Sequence, residues 1–404
     1  MVNRRSLTIT LETVTPLFLG GADPRGAPEL RAPAFRGALR YWLRALVGAA
    51  GEQTMRKYEE YLFGVGGDEG AASAVSSRLS PPPNLSQQSY TELTKGRKGT
   101  GYIWFAARST KNEQERHAIM PTSFTLTLAA RRSKEPERDL EQAAAALWLL
   151  TRLGGIGARG RRFAGGVQAA NVQPDYNSES IVSRLLLRAT SPQEFADDIA
   201  KGIQAARRIF AIQQLANPAP DQFDVLHPDR CGIFVLDRSF DSWQDAVEKI
   251  GQTYQSFRAL RQPDYSVVKT AMTSGRGLQG TVERAAFGLP IPFFYRSLGN
   301  RTATLQAEEG QGNNISKIDR RASPLWMRAV KLSNGKYAVV FTWFKSQFLP
   351  ENAELLLTER NKPDLHGRQL PNDQLIQVFL MGRDPQKNSS LSNVKFSVLE
   401  VSLK

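Results

Sequence analysis

A chain of 404 residues is long enough for two or three domains, each with its own core. With 41% hydrophobic and 23% charged residues, it has the makeup of a folded globular protein rather than a disordered or fibrous one. Lys and Arg number 53 against 39 Asp and Glu, a net charge of +14 that points to nucleic acid or another acidic surface. A single cysteine, Cys231, excludes an internal disulfide framework and a cysteine-based zinc site. No apolar run is long enough to span a bilayer, and MVNRRSLTITLE lacks the apolar core of a signal peptide, so a cytoplasmic protein with no membrane partner is expected.

In chain order, residues 7–14 (LTITLETV) alternate apolar and polar and predict a first strand. A glycine and proline turn over 20–28 leads into a helix whose apolar face is Phe35, Leu39, Trp42, Leu43, Leu46 and Val47. Residues 64–101 are rich in Gly, Ser, Pro, Lys and Arg and read as a long irregular insertion with a basic tip at Lys95, Arg97 and Lys98. Residues 102–107 (YIWFAA) and 122–129 (TSFTLTLA) read as two strands, 140–153 as an alanine-rich helix and 167–172 as a fourth strand. That order, β-α-β-β-α-β, is the ferredoxin-like arrangement. Beyond a turn-rich boundary at 173–180, the pattern predicts a helix within 191–215, a strand at 231–236 and a helix at 242–260. A hairpin over 325–344 around Asn334-Gly335 and a last strand at 395–403 follow. The division expected is 1–175 and 176–404, an α+β fold with a second, more decorated domain.

Two stretches carry the charge. Arg36, Arg40 and Arg44 recur every four residues on one side of the first helix, and between Arg25 and Arg44 the only carboxylate is Glu29. A merely solvated face mixes signs, because i, i+4 ion pairs help a helix and like charges cost it, so this row implies a partner that brings negative charge. The second stretch, GGIGARGRRFAGG at 154–166, carries Arg159, Arg161 and Arg162 with Arg152 just before it and no acid inside. Its glycines, Gly155 and Gly157 among them, let a backbone approach a phosphodiester, and its arginines supply bidentate donors. No G-K-[S/T] follows, so it is not a P-loop, and it follows a helix rather than opening one, so it is not a dinucleotide fingerprint. The two clusters are expected to converge on one groove, with the loop beside the turn after the first strand.

Catalytic signals are sparse. His117, His227 and His366 show no ligand spacing and read as surface or loop histidines, and no metal or cofactor is expected. Asp23, in GGADP, is the one candidate for aligning a 2′-hydroxyl or holding Mg²⁺, against the ordinary turn role of Asp before Pro. Of the aromatics able to stack on bases, Trp42, Tyr41, Tyr102 and Phe163, the last is the better placed because it lies in the glycine loop.

TPLFLGGAD, ELRAPAFRGALRYWLRAL, GGIGARGRRFAGG, FGLPIPF and RRASPL together resemble the RAMP superfamily, and more narrowly the first Cmr subunits of type III-B CRISPR effector complexes. The resemblance implies two tandem ferredoxin-like (RRM-like) domains with long loop insertions. It implies a non-catalytic place toward the 3′ end of a CRISPR guide RNA, with complementary target RNA and other Cmr RAMP subunits as partners. Matching the family's basic helix are Arg36, Arg40 and Arg44, with Arg31 just before it a further RNA-binding candidate, and 154–166 matches its glycine-rich loop, although Phe163, Ala164 and Gly165 follow Arg162 where R-x-R-R-G-F-G is usual. A ribonuclease using Asp23 and a protein–protein scaffold are the competing readings.

Overall fold

A computed structural model describes residues 5–66, 70–131, 133–178, 180–259, 261–311, 314–381 and 397–403. The first half runs β1 (Ser6–Thr13), α1 (Ala32–Val47), α2 (Glu52–Phe63), β2 (Val75–Ser80), β3 (Gln87–Ser89), α3 (Tyr90–Thr94) and α4 (Lys98–Ile103), then β4 (His117–Ile119), β5 (Ser123–Ala130), α5 (Pro136–Leu153) and β6 (Val167–Pro174). There follow α6 (Ser180–Ser183), α7 (Pro192–Ile209), β7 (Cys231–Phe240), α8 (Trp243–Arg258), α9 (Asp264–Ser274), β8 (Ile291–Tyr295), β9 (Arg301–Gln311) and β10 (Asn314–Ile318). The chain ends with β11 (Leu325–Lys331), β12 (Tyr337–Phe344), β13 (Ala353–Thr358), β14 (Leu365–Gly367), α10 (Gln374–Leu380) and β15 (Val398–Glu400).

These elements form two compact units, one of Met1–Gln252, Trp326–Phe344 and Ser397–Lys404, the other of Thr253–Leu325 and Lys345–Phe396. The first unit holds a sheet ordered β2-β5-β1-β6 and a sheet ordered β11-β12-β7-β15. In each, the first strand of the set lies between the third and the fourth, with antiparallel pairing about β1 and β7. Alternation sets the first sheet: Leu7, Ile9 and Leu11 of β1 are fully buried, and Ile9 faces Leu126 across the ladder to β5. A single core continues from these residues through α1, α5 and α7 to Ile233, Val235 and Val340 of the second sheet. At its centre α5 is buried all round from Asp139 to Leu153, because α1, α7 and β5 all pack on it. Gly202 of α7 makes room for Trp148, whose ring carbon lies 2.0 Å from where a Cβ would be. The Asn334-Gly335 hairpin forms as expected, with Gly335 at φ 84 and Lys336 N–H on the Asn334 side chain at 3.0 Å.

The second unit is a five-stranded sheet, β10-β9-β13-β14 with β8 on β9, over its own core of Val268, Leu305, Leu355 and their neighbours.

Two expectations are corrected. Residues 64–101 are not an irregular insertion: β2 pairs with β5 from Val75 to Ser80, and α3 opens with a capping box between Ser89 and Glu92. A serine-rich edge strand has one ladder to make and needs little apolar alternation, so composition alone hides it. YIWFAA is not a strand but the end of α4 and a 3-10 turn over Phe105–Ala107. Trp104 decides this, buried with its ring 5.4 Å from Phe18 and 6.1 Å from Trp243 and its Nε1–H on the Arg162 carbonyl. The β-α-β-β-α-β order survives with β2 in the place given to YIWFAA.

Candidate nucleic-acid interface

The row on α1 meets the end of α2. Arg36 donates to the Phe63 carbonyl and Arg40 to the Gly64 carbonyl at 3.1 Å, the negative end of α2's peptide dipoles. Glu59, almost wholly buried, accepts from Arg40 at 2.7 Å and from Arg44 at 3.1 Å. The acid missing from residues 25–44 therefore arrives from α2, and it serves two arginines at once. Among the described residues, Arg36 has no carboxylate within 4.0 Å, and it is exposed. Arg31 stands at the N-cap position of α1 with Glu29 at 4.0 Å, and the first turn of α1 contains no acid. The row is thus partly neutralised and keeps a surplus of positive charge at an N-terminus that already favours anions.

The loop after α5 is built differently. Arg152 is fully buried: it pairs with Asp198 at 2.9 Å and donates to the carbonyls of Arg184 and Leu185. Burial lowers its proton affinity, against the charge of Asp198. Arg328, from the hairpin, donates to the carbonyls of Gly154, Thr151 and Val167 and closes the C-terminal end of α5. Arg161 lies 3.5 Å from Asp224 and over the Trp326 ring at 4.8 Å, and Tyr41 donates to the same Asp224 at 2.7 Å. Burial first, then Asp224, hold the Tyr41 phenol well above its usual range. Arg162 is buried, its carbonyl held by Trp104 and its strand position bridged to Met327.

Arg152, Arg162 and Phe163 therefore leave the set of surface candidates. Phe163 is 2% exposed, with its N–H on the Met327 carbonyl at 2.8 Å, so it packs inward instead of offering a face to a base. Gly155 and Gly157 serve close packing within the chain: a Cβ at Gly157 would lie 2.4 Å from the Phe18 carbonyl, and one at Gly155 2.6 Å from that of Gly160. Ala158 N–H bonds the Phe18 carbonyl at 2.8 Å, which puts the loop beside the chain leaving β1, as expected. The start of the loop packs on Trp42 of α1, where a Cβ at Gly154 would lie 2.2 Å from Nε1, and Arg161 lies 5.6 Å from the Tyr41 ring.

Arg159 is half-buried at φ 65, and its charge acts with that of Arg108 on Tyr90. Arg108 lies over the ring of Phe105 at 4.0 Å, and Phe105 is 41% exposed. This exposed cation–aromatic pair was not singled out on the sequence, although the neighbouring letters F-A-A-R were its signal. Asp23 accepts the Arg25 N–H at 2.8 Å and its carbonyl accepts that of Gly26, the ordinary turn role. His227 accepts the Asp229 N–H at 3.1 Å and is buried in the loop before β7, within the surface or loop placement expected.

Residues 10–168 match the RAMP superfamily model. The chain is 24% identical over 347 residues to CRISPR system Cmr subunit Cmr1-1 of Pyrococcus furiosus, covering 84% of this chain and 88% of that one. It is 27% identical over 179 residues to Cmr1-2 of the same organism, 39% of this chain and 91% of that one. Its fold matches the crystal structure of Cmr1 from Pyrococcus furiosus in the apo form, with a TM-score of 0.57 at 20% identity over 98% of both chains. It also matches a chain of the type III-B Cmr-beta complex bound to cognate target RNA, with a TM-score of 0.54 at 12% identity over 94% of this chain and 98% of that one. The resemblance noted on the sequence motifs is borne out by these matches.

Proposed function

From residues 10–168 that match the RAMP superfamily and a fold shared with Cmr1, we propose that this chain is the Cmr1-type subunit of a type III-B CRISPR ribonucleoprotein in the cytoplasm. In this reading it is a non-catalytic subunit that binds RNA toward the 3′ end of the guide, beside other Cmr RAMP subunits. It comprises two ferredoxin-like halves, 1–175 and 176–404, each organised on one of the two like-ordered sheets. The second compact unit is then an elaboration of the second half, entering within α8 at Thr253 and running to Leu325, and again between β12 and β15.

The observation that carries this reading is the charge on α1. Arg40 and Arg44 share Glu59, Arg36 has no carboxylate within 4.0 Å among the described residues, Arg31 stands at the helix N-terminus, and a phosphodiester supplies the missing anion. Arg159 and Arg108 with Phe105 would extend the contact, the ring stacking on a base whatever its identity. Recognition is of backbone charge and shape, while pairing within the guide duplex carries the sequence. Asp23, engaged in its turn, does not favour the ribonuclease reading.

Binding of single-stranded RNA by the purified full chain across a salt series tests this. About five phosphate contacts give a slope of log affinity against log salt near −3 to −4, at ~0.7 per contact. A slope near zero would overturn direct phosphate contact.

A further inference from the structure

The second unit brings together three groups that stand far apart in the chain. Glu308 of β9 and Glu354 of β13 are directly opposite across an antiparallel ladder, a placement in which like charges repel. His366 of β14, opposite Leu356, reaches back over both: its Nδ1 lies 2.7 Å from Glu308 Oε1 and 3.1 Å from Glu354 Oε1. The Glu308 side chain is only 8% exposed, so water does little to relieve the pair. The nearby cations are otherwise placed. Lys317, opposite Glu308 on β10, has its Nζ 3.3 Å from Asp364, and Arg368 is 94% exposed with its Nε 3.8 Å from Glu354 Oε2.

We propose that Glu308, Glu354 and His366 form a binding site for a first-row divalent cation of the Zn²⁺ or Mn²⁺ class. Three donors about 2.1 Å from one metal lie roughly 3 Å from one another, and the two nitrogen-to-oxygen separations fit that spacing. One imidazole with two carboxylates is a borderline donor set, harder than thiolate sites and softer than the all-oxygen cages of Ca²⁺. A divalent ion also answers the electrostatics, since it supplies two positive charges and takes the imidazole as a neutral ligand. The platform is preorganised: the three ligands stand on adjacent strands, and the Leu278 N–H holds the His366 carbonyl at 2.8 Å. Three protein ligands leave positions open for water or for an oxygen of a bound partner.

The test uses the full chain, stripped with chelator and titrated with Zn²⁺ by calorimetry and with Co²⁺ by visible absorption. Saturable binding of one ion per chain is expected, with a Co²⁺ spectrum of nitrogen and oxygen ligation lacking the thiolate band that Cys231 would give. Saturating Zn²⁺ should raise the melting temperature, since it binds the folded chain. His366→Asn and Glu354→Gln should each weaken affinity at least ten-fold, while His117→Asn should leave it unchanged. Both altered side chains are at least 30% exposed, and melting without metal shows whether each variant is folded, so either one alone suffices. Absence of one-to-one binding, or variants that bind like the wild type, would overturn the proposal. A cluster held by a proton instead would give that same negative titration.

Discussion

The two arginine-rich stretches look alike in sequence and behave differently in the fold. On α1, Arg36 stays exposed and Arg44 keeps 43% of its side chain in solvent, with Glu59 shared between Arg40 and Arg44. At the end of α5, Arg152 is fully buried against Asp198, and Arg161 faces Asp224 with an aromatic ring beneath it. Acid-poor sequence around an arginine is therefore a poor guide to free charge. A carboxylate from another element can neutralise it, and what separates the two stretches is how far each guanidinium group is withdrawn from water: Arg152 is fully buried, whereas Arg36 is exposed. The α1 row keeps a surplus able to attract a polyanion; the buried arginines are part of how unit one holds together.

The sharpest test of that contrast is stability. Arg152→Leu leaves Asp198 with only Arg184, at 3.6 Å, unbonds the carbonyls of Arg184 and Leu185, and should cost about 3 kcal/mol in urea unfolding. Were the loss instead as small as that for an exposed arginine, the distinction between the stretches would fail. Gly202→Ala probes the packing around the same helix: its Cβ would enter the Trp148 ring, for an overpacking cost of about 1–3 kcal/mol measured the same way.

A third measurement asks whether a distant carboxylate can serve backbone donors as Glu59 serves arginines. Burial raises Glu248, but the N–H groups of Gly99 and Thr100, the Thr100 hydroxyl and the Gln252 amide outweigh it and hold the carboxyl below its usual range. Its contribution is complete above the unfolded-state value near ~4.3 and is lost as the pH falls through the lower folded value. Glu248→Gln should cost about 1 kcal/mol at neutral pH and reduce the dependence of stability on pH on the acid side. The smallest change in stability belongs to Arg36→Ala, within about 0.5 kcal/mol of the wild type. The same variant should flatten the salt dependence of RNA binding by ~0.7 in slope, equally for unrelated sequences. Loss of stability without change in slope would make Arg36 only a cap for α2.

Much of the fold was legible because its signals are local. The alternation of β1, the apolar stripe of α1, the length of α5 and the Asn334-Gly335 turn each rest on neighbours a few residues apart. The capping box at Ser89 and Glu92 was equally local and was masked by the serine and proline around it. Illegible were features whose cause lies elsewhere in the chain. The ladder that makes VSSRLS a strand belongs to β5, and the rings that bury Trp104 come from Phe18 and Trp243.

The same division holds for the sites. Sequence alone determined that the chain is basic, that arginines recur every fourth residue along α1, and that glycines cluster after α5, since these depend only on composition and spacing. Tertiary structure decided which guanidinium groups remain available, why the glycines are needed, and that His366 meets Glu308 and Glu354. Charge compensation is a short-range interaction between groups brought together by the fold, and residues dozens of positions apart carry no mark of it in their spacing.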